Sequence, residues 1–338
     1  MRLKGVLDHR SAAKPLVIGS HGSWLFAPSA LLLQCFTALL LLNSCNLVKL
    51  NEHFQERKLE RRDIKPRTFN AADGAHFSWY RDTGKPKLLL LHGITGSGMT
   101  QWAGNAKELS KHFDLILPDL IGHGKSTWKF TGNSVDAQVA HVLLLLDSLG
   151  VKDPVHVVGN SYGGAMAANF AEQYPERTRT LVIYDGPASD YTAHMADSIA
   201  RKAGADGILD LLSPTDADGQ RKAVNISVYD DPPLPKFILR QVNERYIKPY
   251  HAAQTALLGD LLQREAEYAE KIYRWPMPVF VLWGRHDELI PLQVGMSIHR
   301  RNNLAHDHLV IVEEAGHVAN VERKKEFNAL LIRLLGAH

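Results

Sequence analysis

The sequence predicts an α/β protein: a mostly parallel, doubly wound sheet with an inserted helical cap. Seven short runs rich in Val, Ile and Leu recur between residues 76 and 314, and segments of helical spacing fall between them. Most of the runs are apolar on both faces, as strands must be when helices cover the sheet on each side. One interval, Ala188 to Arg274, breaks the alternation and holds only helical patterns.

In chain order the strands are "HFSWYRD" (76–82), "KLLLLHG" (87–93), "DLILPD" (114–119), "VHVVGN" (155–160), "TLVIYDG" (180–186), "VFVLWG" (279–284) and "HLVIVEE" (308–314). Helical spacing covers Asn105–His112, Ser134–Leu149, Ala165–Tyr174 and Glu322–Leu335, with Ser134 placed to cap the second. Residues 188–274, broken by "LSPTDADG" and "DDPPLPK", are too long for a plain loop and are expected to form a helical cap over one end of the sheet. The core then comprises 68–187 and 275–338.

The N-terminal 67 residues differ in kind. Arg2, Lys4, Arg10 and Lys14 precede an uncharged run from Gly22 to Val48. Of 39 basic and 36 acidic residues, four and one lie in 1–44, so the rest balances at 35 of each. A neutral body without clustered cations gives no nucleic-acid footprint. Both cysteines, Cys35 and Cys45, belong to the leader, so the body has neither a disulfide nor cysteine metal ligands. Leu31–Leu42 has the length of a signal-peptide core, and Trp24–Leu42, at 19 residues, is long enough for an uncleaved membrane helix. Residues 45–67 read as a solvated, charged, partly helical linker; contact with anionic headgroups is the competing reading.

Chemistry enters at Ser161. A parallel sheet presents functional groups at the carboxyl ends of its strands, and Ser161 follows "VHVVGN" at such an end. Gly159 and Gly163 flank it at two residues' distance, which is the Gly-Xaa-Ser-Xaa-Gly elbow between a strand and a helix, where a Cβ on either glycine would crowd the turn. A serine hydroxyl needs a base and a carboxylate to act as a nucleophile. "VFVLWGRHDELIP" brings Asp287 past one strand, and "HLVIVEEAGH" brings His317 past the next, giving the order Ser, Asp, His. Asp185, Glu288, Glu313 and Glu314 compete with Asp287 for the acid, and Asp119 reads as a turn acceptor. His123 and His286 read as structural or solvent-exposed. No histidine pair has zinc-site spacing, so no metal or other cofactor is expected.

From about residue 67 to 335 the chain resembles the α/β-hydrolase superfamily, through "LLHGITGSG", "DLIGHGKS", "GNSYGG", "WGRHDELIP" and "EEAGH" in that order. The resemblance implies a Ser161–Asp287–His317 triad. Some members carry the acid where Asp185 stands, whereas "GRHD" matches the commoner position. It further implies an oxyanion hole made by the backbone N–H groups of Ile94 and Tyr162, with Thr95 and Ser97 as possible hydroxyl donors and His92 shaping the turn. The implied activity is carboxylester hydrolysis of small to medium apolar substrates. Carbon–carbon bond hydrolysis of ring-cleavage products, a haloperoxidase-like activity and a silent binding module are the alternatives. "LNSC" resembles the bacterial lipobox, which implies a lipid on Cys45 and a membrane-anchored protein of the cell envelope. Oligomeric state and acyl specificity leave no mark in the sequence.

Overall fold

The computed structural model describes residues 46–129 and 133–336; the leader 1–44 and Cys45 lie outside them. The first element, α1 (Leu47–Glu60), is capped by Asn46, whose side chain accepts from the Lys49 N–H at 2.9 Å. The described part of the stretch expected to be a solvated, partly helical linker is thus mostly helical, but the helix is docked on the body instead of free in solvent. Val48 and Leu59 are buried, Glu52 pairs with Arg245 at 2.9 Å, and Glu56 pairs with Lys125 at 3.1 Å. Two apolar contacts three helical turns apart are too sparse to give a periodic signal, which is why charge dominated the reading.

Next comes β1 (Lys65–Ala71), which the sequence did not reveal. It pairs antiparallel with β2 (Gly74–Tyr80), from Lys65 opposite Tyr80 to Ala71 opposite Gly74. Its first six residues are exposed, so this edge strand carries no apolar alternation. The other strands are the seven expected: β2, β3 (Lys87–Leu91), β4 (Asp114–Pro118), β5 (Val155–Asn160), β6 (Thr178–Tyr184), β7 (Val279–Gly284) and β8 (Leu309–Val312). They lie in the order β1-β2-β4-β3-β5-β6-β7-β8, parallel from β4 to β8, with β1 and β2 antiparallel at one side.

Alternate strand residues feed two cores. Leu89, Leu91, Val155, Val157, Leu181, Ile183, Val281 and Trp283 face one layer. Leu88, Leu90, Val158, Val182, Phe280 and Leu282 face the other. Each such fully buried aliphatic side chain contributes about 1.5–3 kcal/mol relative to exposure, and the two-sided burial explains the near-continuous apolar runs.

The helices include α2 (Gly98–Trp102), α3 (Ala106–Leu109), α4 (Val135–Ser148) and α5 (Tyr162–Gln173). Ser134 caps α4 by accepting from the Ala137 N–H at 3.2 Å. The helix expected over 105–112 shrinks to the single turn α3. The one expected to begin at Ala165 starts three residues earlier, because its first turn, "YGG", holds two poor helix formers. Between β6 and β7 lie α6 (Ala193–Lys202), α7 (Ile208–Leu212), α8 (Ala217–Ser227), α9 (Lys236–Val242), α10 (His251–Gln263) and α11 (Glu265–Tyr268). Residues 188–274 contain no strand. The chain closes with α12 (Leu292–Arg301), α13 (Ala319–Glu322) and α14 (Lys324–Gly336). Among the described residues no helix is long and apolar enough to cross a membrane.

Candidate active site

Ser161 stands between β5 and α5 with φ 56° and ψ −126°, a conformation that costs a non-glycine residue of order 1–3 kcal/mol and is kept only when its surroundings enforce it. The enforcement is steric. A Cβ on Gly159 would lie 1.9 Å from the Gly163 carbonyl oxygen, and one on Gly163 would lie 2.6 Å from that of His92 and 2.7 Å from that of Leu91. The second glycine is thus demanded by the end of the neighbouring strand β3 as well as by the turn itself.

His317 follows β8 on the loop into α13. Its Nδ1 bonds Asp287 Oδ2 at 2.7 Å, and both side chains are buried. The other oxygen of Asp287 accepts from the Leu289 and Ile290 N–H groups, each at 2.9 Å. Three donors therefore fix the carboxylate, which in turn fixes the ring. The imidazole's remaining nitrogen, Nε2, is buried and has no hydrogen-bond partner among the described residues. His317 and Ser161 line the same cavity of about 240 Å³, so the structure brings Ser161, Asp287 and His317 together. The His317 N–H donates to Ser227 O at 3.0 Å, tying the loop to the end of α8.

Asp185, the competing acid, reaches the same place from the end of β6. It adopts φ 46°, accepts from the Gly284 N–H at 2.9 Å through Oδ1, and leaves Oδ2 buried without a partner. Burial, reinforced by the charge of Asp287, holds its carboxyl well above the usual carboxylate range. Donor atoms of Asp185, Asp287 and His317 lie within 4.8 Å of one another, the one metal-like cluster among the described residues. The Nδ1 of His317 is already engaged there by Asp287. Glu313 is drawn away to Arg285 at 2.5 Å, and Glu314 faces Arg323 at 3.3 Å.

The amides of Ile94 and Tyr162 flank Ser161, and neither donates to a protein acceptor among the described residues. Tyr162 opens α5, so its N–H adds the positive end of the helix dipole. The Ile94 peptide is held from outside, its carbonyl bonded to His123 Nε2 at 2.9 Å. His92 braces the same loop: its Nε2 accepts from the Leu120 N–H at 2.9 Å. Burial and the neighbouring His123 keep its pKa down at about 3, so it acts as a neutral brace. Asp119 is the turn acceptor expected, bonded to the Gly98 and Lys125 amides, with burial raising it to about 6. Ser97 is spent as the N-cap of α2, while Thr95 lines the cavity.

Sequence reasoning missed the lining residues. Gln101, Gln220, Ser227 and Val228 face the cavity beside Thr95 and His317. A smaller pocket of about 30 Å³, which also touches Ser161, is walled by Leu212, Leu258, Leu261, Leu262, Tyr191 and Ile290. Neither space is lined by a Lys, Arg, Asp or Glu side chain. The insertion's helices supply most of these walls, and their low-contrast apolar pattern does not distinguish a residue facing the core from one facing the site.

A family model described as alpha/beta hydrolase fold matches residues 86–324. A 2-hydroxy-6-oxononadienedioate/2-hydroxy-6-oxononatrienedioate hydrolase of Paraburkholderia phymatum is 29% identical over 277 residues, 76% of this chain and 90% of that protein. Lipase 1 of Psychrobacter immobilis is 26% identical over 272 residues, 80% of this chain and 83% of the lipase. The crystal structure of a membrane phospholipase A superposes with a TM-score of 0.72 at 22% identity, covering 91% of this chain and 96% of that one. The eight-stranded sheet, the serine elbow after β5 and this match over most of the body agree, and the chain belongs to the alpha/beta hydrolase fold family.

Proposed function

We propose that the protein is a serine hydrolase of carboxylic esters with small to medium apolar acyl groups. Ser161 Oγ attacks the ester carbonyl carbon while its proton passes to Nε2 of His317, the ring nitrogen left without a partner. Asp287 holds the ring in the tautomer with Nδ1 protonated and stabilises the imidazolium that forms. The carbonyl oxygen, now negative, is met by the Ile94 and Tyr162 amides, each worth roughly 3 kcal/mol in comparable sites. Collapse of the tetrahedral adduct breaks the ester C–O bond, and the alkoxide leaves with the proton from His317. Water then repeats the sequence on the acyl-enzyme.

The observation that carries the substrate assignment is the absence of any Lys, Arg, Asp or Glu side chain along the two spaces beside Ser161. The leucine walls of the smaller pocket are of the polarity an apolar acyl chain needs. A dioate would bring two carboxylates there without a Lys or Arg to receive them, and an unpaired buried charge costs several kcal/mol. Carbon–carbon bond hydrolysis of ring-cleavage products remains the second reading, supported by the name of the Paraburkholderia phymatum relative. A silent binding module is the third, and the complete residue set argues against it. The envelope location through a lipid on Cys45 belongs to the same proposal and rests on "LNSC" alone.

A fluorophosphonate probe tests the activated serine. Labelling of the wild type, with its loss in Ser161→Ala and His317→Ala proteins that remain folded, is the expected result. Unlabelled wild type would favour the silent module.

A further inference from the structure

The helix α1 has two unlike faces. Val48, Glu52, Glu56 and Leu59 turn toward the body, and both glutamates are spent in ion pairs with Arg245 and Lys125. The opposite face follows the i, i+3, i+4 spacing through Leu47, Leu50, Phe54, Lys58 and Arg61, with Arg57 beside it. Leu50 is 48% and Phe54 54% exposed, although both are large and apolar. Glu52 and Glu56 turn inward, which leaves Glu60, exposed at the edge of this face, as its single carboxylate against Arg57, Lys58 and Arg61. A solvated helix ordinarily buries its large apolar residues; here Leu50 and Phe54 stay exposed while two of the three acids turn inward.

We propose that the outward face of α1 docks on an anionic phospholipid bilayer, with Leu50 and Phe54 entering the headgroup–acyl boundary and Arg57, Lys58 and Arg61 meeting lipid phosphates. Apolar side chains ringed by cations are the pattern of a helix lying in a membrane interface. The charge is complementary: the exposed face carries Arg57, Lys58 and Arg61 against the single carboxylate of Glu60 at its edge, while the body beyond residue 44 is balanced. In the sequence, the uncharged stretch Gly22–Val48 immediately precedes and enters α1. The docking needs no acylation of Cys45.

The test uses the full-length chain carrying Cys35→Ala and Cys45→Ala, with Asn51→Cys at the edge of the face bearing an environment-sensitive dye. The probe is vesicles of phosphatidylglycerol and phosphatidylcholine against vesicles of phosphatidylcholine alone. A blue shift of the dye on the anionic vesicles only is expected. It should vanish in Leu50→Glu/Phe54→Glu, and partitioning in Arg57→Glu/Lys58→Glu/Arg61→Glu should weaken by about a hundredfold, given roughly fivefold per surface cation. No shift on anionic vesicles, or an equal shift on neutral vesicles or in the charge-reversed protein, would overturn the proposal. The substituted side chains of α1 are exposed, so each variant is expected to keep its fold, which ester turnover in solution verifies.

Discussion

The side-chain amide of Asn160 donates to the backbone carbonyl of His317 across 3.3 Å. This contact joins the last residue of β5 to the loop after β8, and the Tyr184 hydroxyl donates to the same carbonyl at 3.4 Å. The serine and the histidine are thereby indexed to one another through the sheet. Asn160→Ala is expected to lower kcat by about tenfold while KM and the melting temperature change little, because the misplacement affects the reacting geometry more than binding or folding. Steady-state kinetics on a short-chain nitrophenyl ester, with a thermal melt beside it, checks this; a change confined to KM would speak against a positioning role.

Asp287 and Asp185 are expected to separate cleanly by mutation. Asp287→Asn removes the charge that stabilises the imidazolium, and turnover should fall by roughly 10³–10⁴. Asp185→Asn keeps a neutral group of the same shape and should retain most activity.

The same Asp185 gives a stability signature. Its folded pKa is raised, so the unfolded chain gives up this proton at lower pH than the native protein does. Stability is then fully present below the ordinary carboxylate range and declines as pH rises toward the raised folded value, by about 1.4 kcal/mol per unit for one fully linked proton. Asp185→Asn should flatten that decline. Chemical denaturation at a series of pH values measures it, and an unchanged slope would mean that Asp185 is ionised in the native state.

The elbow glycines predict a third contrast. Gly163→Ala would drive a Cβ to 2.6 Å from the His92 carbonyl oxygen, so soluble protein or probe labelling should be lost. Gly150→Ala is the control: Gly150 has φ +72° but open space around it, so the cost is about 1 kcal/mol of backbone strain and labelling should persist.

These residues also mark how far the sequence could be read. Strands such as "VHVVGN" were legible because burial on both faces leaves an apolar run, and Ser161, Asp287 and His317 were legible because each sits just past such a strand. The polar strand β1 was not, since an exposed edge requires no apolar residue. The helical character of α1 was legible, but its docking was hidden by its charges, two of which are ion-paired inward. Asp185 was visible as a candidate acid, but the upward shift of its pKa depends on burial and on the proximity of Asp287, both of which arise from three strands meeting in space. The walls around Ser161 come from the insertion's helices, whose packing is tertiary information throughout.

The most direct test of the central claim is kcat/KM across nitrophenyl esters of increasing acyl length, measured alongside a ring-cleavage dienedioate and repeated in Ser161→Ala. The leucine-walled, cation-free site predicts a maximum among the short to medium esters, a dienedioate at least about a hundredfold slower from the cost of burying unpaired carboxylates, and loss of both activities in Ser161→Ala. A dienedioate hydrolysed faster than every ester in the series would contradict the account.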